Sequence, residues 1–422
     1  MRRGGKACLT LLLACTLLFG GCGRASFDLR VPELPPIPAA QGLRIAAASD
    51  LHLNPEDTDK SEGLANAYSS ELADALLRDV QEQGASILLL TGDLVSGGRK
   101  ERHAALAEKL RRAEGEGEGL AVCVLPGNHD LAPIGQTDFA ALYGDFGYDE
   151  AFSRDPASLS YCVLRPDCAL LMLDTGGYPA DCIDLPGAAP RENSEAFLRQ
   201  ETLRWAEDML QEAQRRNLPV LCAGHYNLLT QTQREGYRVE NGEKLAALLR
   251  AYEVPLYLSG HIHLRAVVQE AGLTELVTEY LLGYPTGYSL LDLGADAWTY
   301  RPRRVDVDAW AAETGAEDPA LLHHAAWQQE ELRRYAVENI AYMTARNPLS
   351  EREAEQAAVF FYAAVNAYWR GTLCDERAVL ERMLGCKPFF RCAEGYAWGW
   401  WLRVQMESTG PELAGFTLPR KP

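Results

Sequence analysis

A layered α/β body followed by an all-α domain is the fold class that three observations predict. From Leu43 onward the chain repeats strand, loop and helix. Polar residues with lone pairs to share fall just past the ends of the apolar, strand-like runs. From about Trp310 the pattern changes to helical periodicity with many aromatics. Helices alternating with strands must cover sheets. The loops beyond the C-terminal strand ends of such sheets converge on one crevice.

The elements follow in order. Residues 1–23 read as a targeting segment, with Arg2, Arg3 and Lys6 ahead of an apolar stretch from Ala7 to Gly20. That stretch is short for a membrane span and suits an export signal. It ends in Leu-Phe-Gly-Gly-Cys, which resembles the lipobox of bacterial lipoproteins, with Phe19 where Leu is usual and Cys22 as the lipidated residue. The resemblance implies an exported, membrane-anchored protein with its body outside the cytoplasm. Residues 24–41 contain Val-Pro-Glu-Leu-Pro-Pro-Ile-Pro and read as an extended tether.

Residues 42–308 form the main body. Strands are expected at Leu43–Ser49, Ser86–Leu90, Leu120–Leu125, Pro219–Cys222 and Leu256–Leu258, with a strand pair within Ser158–Leu173 around Arg165-Pro166-Asp167. Helices are expected at Ser61–Gln83, His103–Ala113, Ser194–Arg216 and Gly242–Tyr252. Four further runs of β-type composition cover 265–270, 275–280, 287–293 and 297–305. Residues 309–422 read as a helical domain, with helices at Ala320–Thr344, Glu351–Tyr368, Asp375–Leu384 and Gly395–Met406. Its tryptophans, 327, 369, 398, 400 and 401 among them, read first as packing and second as an exposed aromatic patch for sugars or a partner.

Composition narrows the function. The chain has 422 residues, is 47% hydrophobic and carries a formal charge of -18. So acidic a surface repels nucleic acid polymers and anionic lipid head groups. A small phosphorylated substrate remains compatible, because a bound cation dominates its own surroundings. Of the 11 cysteines, Cys123 and Cys222 lie in apolar runs and read as buried thiols. Cys162 with Cys168, and two of Cys374, Cys386 and Cys392, are candidates for pairing; Cys182 completes the set beyond the first 23 residues.

The chemistry sits at the strand ends. Asp50 and His52 lie in Ser-Asp-Leu-His, Asp93 in Thr-Gly-Asp, and Asn128, His129 and Asp130 in Pro-Gly-Asn-His-Asp. His225 lies in Ala-Gly-His-Tyr, and His261 and His263 in Ser-Gly-His-Ile-His. A carboxylate able to bridge, an amide oxygen and several imidazoles suit two divalent ions such as Mn, Fe or Zn. Two such ions ~4 Å apart serve displacement at phosphorus. In Asp-x-His and His-x-His, two side chains on one side of an extended segment reach a common place. Glycines 92, 127, 224 and 260 would allow tight turns there. His103, His323 and His324 fall outside the set and read as surface or packing residues.

The ordered set of five motifs resembles the calcineurin-like metallophosphoesterases over roughly residues 43–305, and within them the bacterial cyclic-nucleotide phosphodiesterases, through His-Tyr-Asn-Leu-Leu from His225 and the lead into Ser-Gly-His-Ile-His. The resemblance implies an α/β/β/α sandwich. It implies one metal on Asp50, His52 and His263, another on Asn128, His225 and His261, and Asp93 bridging both. It implies attack on phosphorus by a hydroxide between the metals, with His129 protonating the leaving oxygen and Asp130 orienting its ring. Two departures stand out. Tyr226 occupies a place where some relatives carry a second His, and Leu94 follows Asp93 where purple acid phosphatases carry a Tyr-bearing segment.

The expected activity is hydrolysis of a small phosphodiester, with a 3',5'-cyclic nucleotide as one candidate. A surface phosphomonoesterase or nucleotidase is the alternative within enzymes. A metal-bearing surface protein without catalysis is the alternative outside them, and the complete motif set argues against it.

Overall fold

The structure, a computed structural model, describes residues 25–29, 42–57, 65–116, 119–176, 196–229, 238–294, 297–407 and 416–419. The expected export segment with Cys22, the tether beyond residue 29 and Cys182 lie outside the described residues.

The body begins with β1 (Leu43–Ala48), α1 (Ser69–Glu82), β2 (Ile87–Thr91), α2 (Lys100–Glu116) and β3 (Ala121–Leu125). Then come α3 (Gly135–Leu142), β4 (Ser153–Arg154), β5 (Tyr161–Leu164), β6 (Ala169–Leu173), α4 (Gln200–Arg215), β7 (Val220–Gly224), α5 (Gly242–Ala251) and β8 (Leu256–Ser259). Four strands follow: β9 (Ala266–Glu270), β10 (Leu273–Val277), β11 (Gly287–Leu293) and β12 (Ala297–Arg304). The C-terminal part holds α6 (Val307–Thr314), α7 (Pro319–Leu322), α8 (His324–Thr344), α9 (Glu351–Trp369), α10 (Leu373–Arg382), α11 (Cys386–Cys392), α12 (Ala397–Glu407) and β13 (Phe416–Pro419).

Two sheets carry the body. One runs β13-β12-β11-β1-β2-β3, the other β4-β5-β6-β7-β8-β10-β9. Strands β1, β2 and β3 are parallel, as are β6, β7, β8 and β10. Parallel strands covered on both faces need apolar side chains on both. The sequence Ile-Leu-Leu-Leu-Thr of β2 meets that demand and is buried throughout. In β6 the two faces divide the work. Leu170 and Met172 join the cluster containing the β1–β3 side chains, whereas Ala169, Leu171 and Leu173 join the one containing Leu203 and Leu210 of α4 and Leu245 and Leu249 of α5. The result is the expected α/β/β/α layering.

The helical region does not stand apart from the body. Ile262, Leu264, Ala266 and Val277 share a cluster with Leu332, Ala336 and Ile340 of α8 and Phe360 and Phe361 of α9. α9 starts on a capping box, Ser350 with Glu353. The helix expected from Ala320 to Thr344 is broken at His323 (φ -135, ψ 44) into α7 and α8. The region also returns to the body: β13 pairs antiparallel with β12, Ala297 opposite Pro419. The described part of the tether is not a free spacer. Phe27 packs edge-on against Tyr362 of α9, centroids 5.4 Å apart, and Arg333 lies 5.5 Å from its ring.

Cys123, Cys162, Cys168, Cys222, Cys386 and Cys392 are free thiols, so the pairings considered for Cys162 with Cys168 and for Cys386 with Cys392 do not form. Strand geometry explains the first. Cys162 faces Leu171 across the ladder, and Cys168 lies beyond its β5 partner strand in the turn. His103 and His324 are buried packing residues, and His323 is exposed. Among the described residues no helix is long and apolar enough to cross a membrane.

Candidate metal centre

Every motif residue emerges where a strand stops. Asp50 and His52 follow β1, Asp93 follows β2, and Asn128, His129 and Asp130 follow β3. His225 follows β7, and His261 and His263 follow β8. The backbone turns sharply to aim them. Asp50, His52, Asp93, His261 and His263 all adopt positive φ, at 52°, 42°, 49°, 70° and 60°. Non-glycine residues seldom sit there, and such strain persists where surrounding structure over-determines it. Asp50 N–H donates to Gly92 O at 3.0 Å and His52 N–H to Asp93 O at 2.9 Å, which locks the β1 and β2 turns together.

The motif glycines act mainly through close approach rather than turn geometry. A Cβ on Gly260 would lie 1.8 Å from Ser49 Oγ and 2.4 Å from Asp50 Oδ2, and one on Gly127 would lie 2.3 Å from Asp93 Oδ1. Gly92 needs both its left-handed φ of 102° and the space, since its Cβ would meet His225 Nδ1 at 2.5 Å.

The donor atoms fall into two groups with Asp93 in common. Asp50, His52, Asp93 and His263 form one; Asp93, His225 and His261 form the other, all donor atoms of a group lying within 4.8 Å of each other. His52 Nε2 is 3.5 Å from Asp93 Oδ2, and His263 Nε2 is 3.4 Å from Asp50 Oδ1. His225 Nε2 lies 3.3 Å from Asp93 Oδ2 and 3.1 Å from Asn128 Oδ1, so Asn128 joins the second group. Two buried atoms, Asp50 Oδ1 and His52 Nε2, have no hydrogen-bond partner among the described residues. Buried polar atoms are rarely left so unless something else satisfies them. Carboxylate, amide and imidazole donors in this arrangement fit two divalent ions.

Neighbours fix the donors. His225 donates Nδ1–H to Thr91 O at 2.9 Å, which turns Nε2 toward Asp93. Tyr226 is buried and packs beside His261, ring centroids 4.3 Å apart, rather than standing open in the cleft. His129 N–H donates to Asp93 Oδ1 at 2.8 Å, while the His129 side chain is 48% exposed with Nε2 4.0 Å from Asp93 Oδ2.

Asp130 does not take the place assigned to it beside the His129 ring. Its carboxylate accepts N–H groups from Leu94 (3.1 Å), Val95 (3.0 Å) and Gly127 (2.7 Å). It clamps the Asp93 turn to the Asn128 turn. Burial pushes it up to about 7, the Asp93 charge adds to this, and the three donors pull the other way. Beneath it, His103 Nε2 meets Asp130 O and Nδ1 meets the Tyr143 hydroxyl, both at 2.9 Å.

Two residues outside the motifs complete the centre. Tyr280 lies against His52 and His263. Glu275 is buried in β10 and accepts from Leu228 N (2.8 Å), Leu229 N (2.7 Å) and Ser259 Oγ (2.7 Å), tying the His225 loop to the end of β8. A charge inside the apolar run Leu-Thr-Glu-Leu-Val was the available signal for Glu275. The strand-end rule itself pointed to Tyr280, which follows β10, but the strand expected over 275–280 absorbed it.

Electrostatics set the proton inventory. Burial alone would raise Asp93, but the neighbouring imidazoles, His225 foremost, hold it well below the usual carboxylate range. Burial pulls His225 down, yet the charge of Asp93 and its hydrogen bond more than offset this and lift it to about 9. Burial depresses His52 to about 4 and His261 to about 3, so both are neutral near pH 7. In the metal-free fold the His225–Asp93 pair stabilises fully between about pH 4 and pH 6.5; its contribution fades as pH rises through about 9 and again as acid protonates Asp93. An imidazole binds metal only without its proton. Metal affinity should therefore rise with pH between 7 and 9, as the His225 proton becomes easier to displace. Calorimetric titration with Mn2+ across that range tests this, and a flat affinity would contradict it.

The calcineurin-like phosphoesterase family model matches residues 43–265. Among solved structures, a dimetal phosphatase from Danio rerio is 12% identical, with 63% of this chain and 96% of that one aligned at a TM-score of 0.50, a likeness of fold. A purple acid phosphatase from yellow lupin (Lupinus luteus) seeds is 14% identical over 64% of this chain and 53% of that one, TM-score 0.44. A putative 5'-nucleotidase from Staphylococcus aureus is 13% identical over 68% and 58%, TM-score 0.42. No curated protein matches the chain. With more than half of its 422 residues within that family match, the chain belongs to the calcineurin-like phosphoesterases.

Proposed function

We propose that this is an exported, membrane-anchored phosphoesterase that hydrolyses a small phosphodiester, with 3',5'-cyclic nucleotides as the first substrates to examine. Asp50, His52 and His263 would hold one divalent ion and Asn128, His225 and His261 the other, with Asp93 available to both. The observation that carries this reading is the contrast between Asp93 and His129. Asp93 is 1% exposed between the two donor groups, whereas the His129 ring beside it is half exposed. When bound, such ions would polarise phosphoryl oxygens and lower the pKa of a water in the site.

The protein's own groups do the rest. The Asp93 carboxylate fixes the His129 backbone, so the ring projects from a rigid turn over the shared carboxylate. From there its Nε2 supplies a proton to the leaving oxygen. Asp130 supports that step by holding the turn, not by touching the ring. The charge of -18 favours a small substrate over a nucleic acid polymer. Export and anchoring rest on the basic start, the apolar run and Cys22.

Three outcomes are expected. With Mn2+, the chain should prefer bis-p-nitrophenyl phosphate to p-nitrophenyl phosphate, with Asp93→Ala inactive on both; preference for the monoester would transfer the reading to a surface phosphatase or nucleotidase. His129→Ala should keep its metal content by elemental analysis and lose about 10²- to 10⁴-fold in kcat, whereas full turnover would remove His129 as the proton donor. Cys22→Ser should move the protein from the membrane to the soluble fraction of expressing cells, and unchanged membrane retention would contradict anchoring through Cys22.

A further inference from the structure

Tyr280 has no ligand role, yet it touches both histidines of the first donor group. Its ring stacks on His263 with centroids 4.4 Å apart and planes 14° from parallel. The same ring meets His52 edge-on at 5.2 Å and 89°. His52 and His263 are themselves edge-on at 5.1 Å and 80°. The three rings form one block in which His52 and Tyr280 are both buried.

This block answers a specific need. A coordinating imidazole must have its ring plane fixed, commonly by a hydrogen bond from its other nitrogen. His225 has such a bond, to Thr91 O. Among the described residues, no comparable bond to a carbonyl fixes the ring of His52 or His263. Both also stand on left-handed backbone, φ 42° and 60°, which does not hold itself in place. Packing must supply the orientation.

Tyr280 is in turn firmly held. Its hydroxyl donates to Asn66 Oδ1 at 3.2 Å, and Leu281 N–H donates to Asp50 O at 3.4 Å. The chain that follows is gripped by α8. Gln328 Nε2 donates to Leu282 O at 3.4 Å and its Oε1 accepts from Thr286 Oγ1 at 2.9 Å, while Gln329 Nε2 donates to the Tyr284 hydroxyl at 2.9 Å. On the other side of His263, Ile262 and Leu264 insert into the α8–α9 core.

We propose that Tyr280 is a positioning residue for the first metal group, setting His52 and His263 by ring packing, and that α8 holds it in place from the helical region. The inference rests on the two-metal reading above. It gives the C-terminal helices a part in the centre that no ligand of their own supplies.

The test is titration of the metal-free full chain with Mn2+, followed by calorimetry, for wild type, Tyr280→Phe and Tyr280→Leu. Wild type should bind two ions. Tyr280→Leu keeps bulk without the ring, and should weaken one ion about 10- to 100-fold while the other stays at wild-type affinity. That retained site reports an intact fold. Tyr280→Phe keeps the ring and should match wild type. Wild-type affinity at both sites in Tyr280→Leu, or equal weakening of both, would overturn the proposal. So would a Tyr280→Phe chain as weak as Tyr280→Leu, since the hydroxyl rather than the ring would then matter. A wild-type chain binding fewer than two ions would overturn the two-metal reading and this inference with it.

Discussion

The buried carboxylate of Asp93 is the constraint around which the rest is arranged. It follows β2, between β1 and β3 of the first sheet, and its donors and neighbours come from both sheets. Oδ1 accepts the His129 N–H at 2.8 Å, and Oδ2 has His225 Nε2 at 3.3 Å and His52 Nε2 at 3.5 Å. A charge taken out of water needs compensation close by. Here it comes from the His225 proton in the metal-free chain and from cations when they bind. The pairing of two sheets at their strand ends is what allows one carboxylate to serve two donor groups.

That convergence is strained and crowded, and the surrounding structure shares the load. Five donor residues occupy left-handed backbone. Such conformations each cost on the order of 1–3 kcal/mol and survive where the surroundings leave no alternative. The surroundings are identifiable: the Asp130 clamp across Leu94, Val95 and Gly127, the Glu275 clamp across Leu228, Leu229 and Ser259, and glycines where any Cβ would strike a donor. Each is a buried acid or a missing side chain, and most of what it holds is remote in sequence. The helical region belongs to this shell too, since the core of α8 and α9 contains Ile262 and Leu264 on either side of His263.

The parts legible in the sequence were the local ones. An apolar run and a donor residue recur after β1, β2, β3, β7 and β8, with a glycine between them at all but the first, so the strand ends and the donor set could be read directly. Their division between two ions came with the family resemblance, and the spacing of the motifs did not contain it. What escaped was set by contacts across the fold. The resemblance placed Asp130 beside the ring of His129; its carboxylate instead accepts from Gly127, three residues back, and from Leu94 and Val95, more than thirty residues away. β13 is a strand only because β12 offers its edge. α6 differs, because its start and stop signals, Asp306 as N-cap and Gly315 after the last turn, are local ones that the sequence carries. Phe27 read as part of a spacer, and only the Tyr362 ring gives it a place.

The two donor groups have one carboxylate in common, so two ions bound there would share it. Ions held that way lie ~4 Å apart and couple magnetically. Electron paramagnetic resonance of the Mn-loaded chain tests this most directly. The expected spectrum is that of an exchange-coupled pair, lost in Asp93→Asn. A spectrum of isolated Mn2+ from a chain carrying two ions would contradict it.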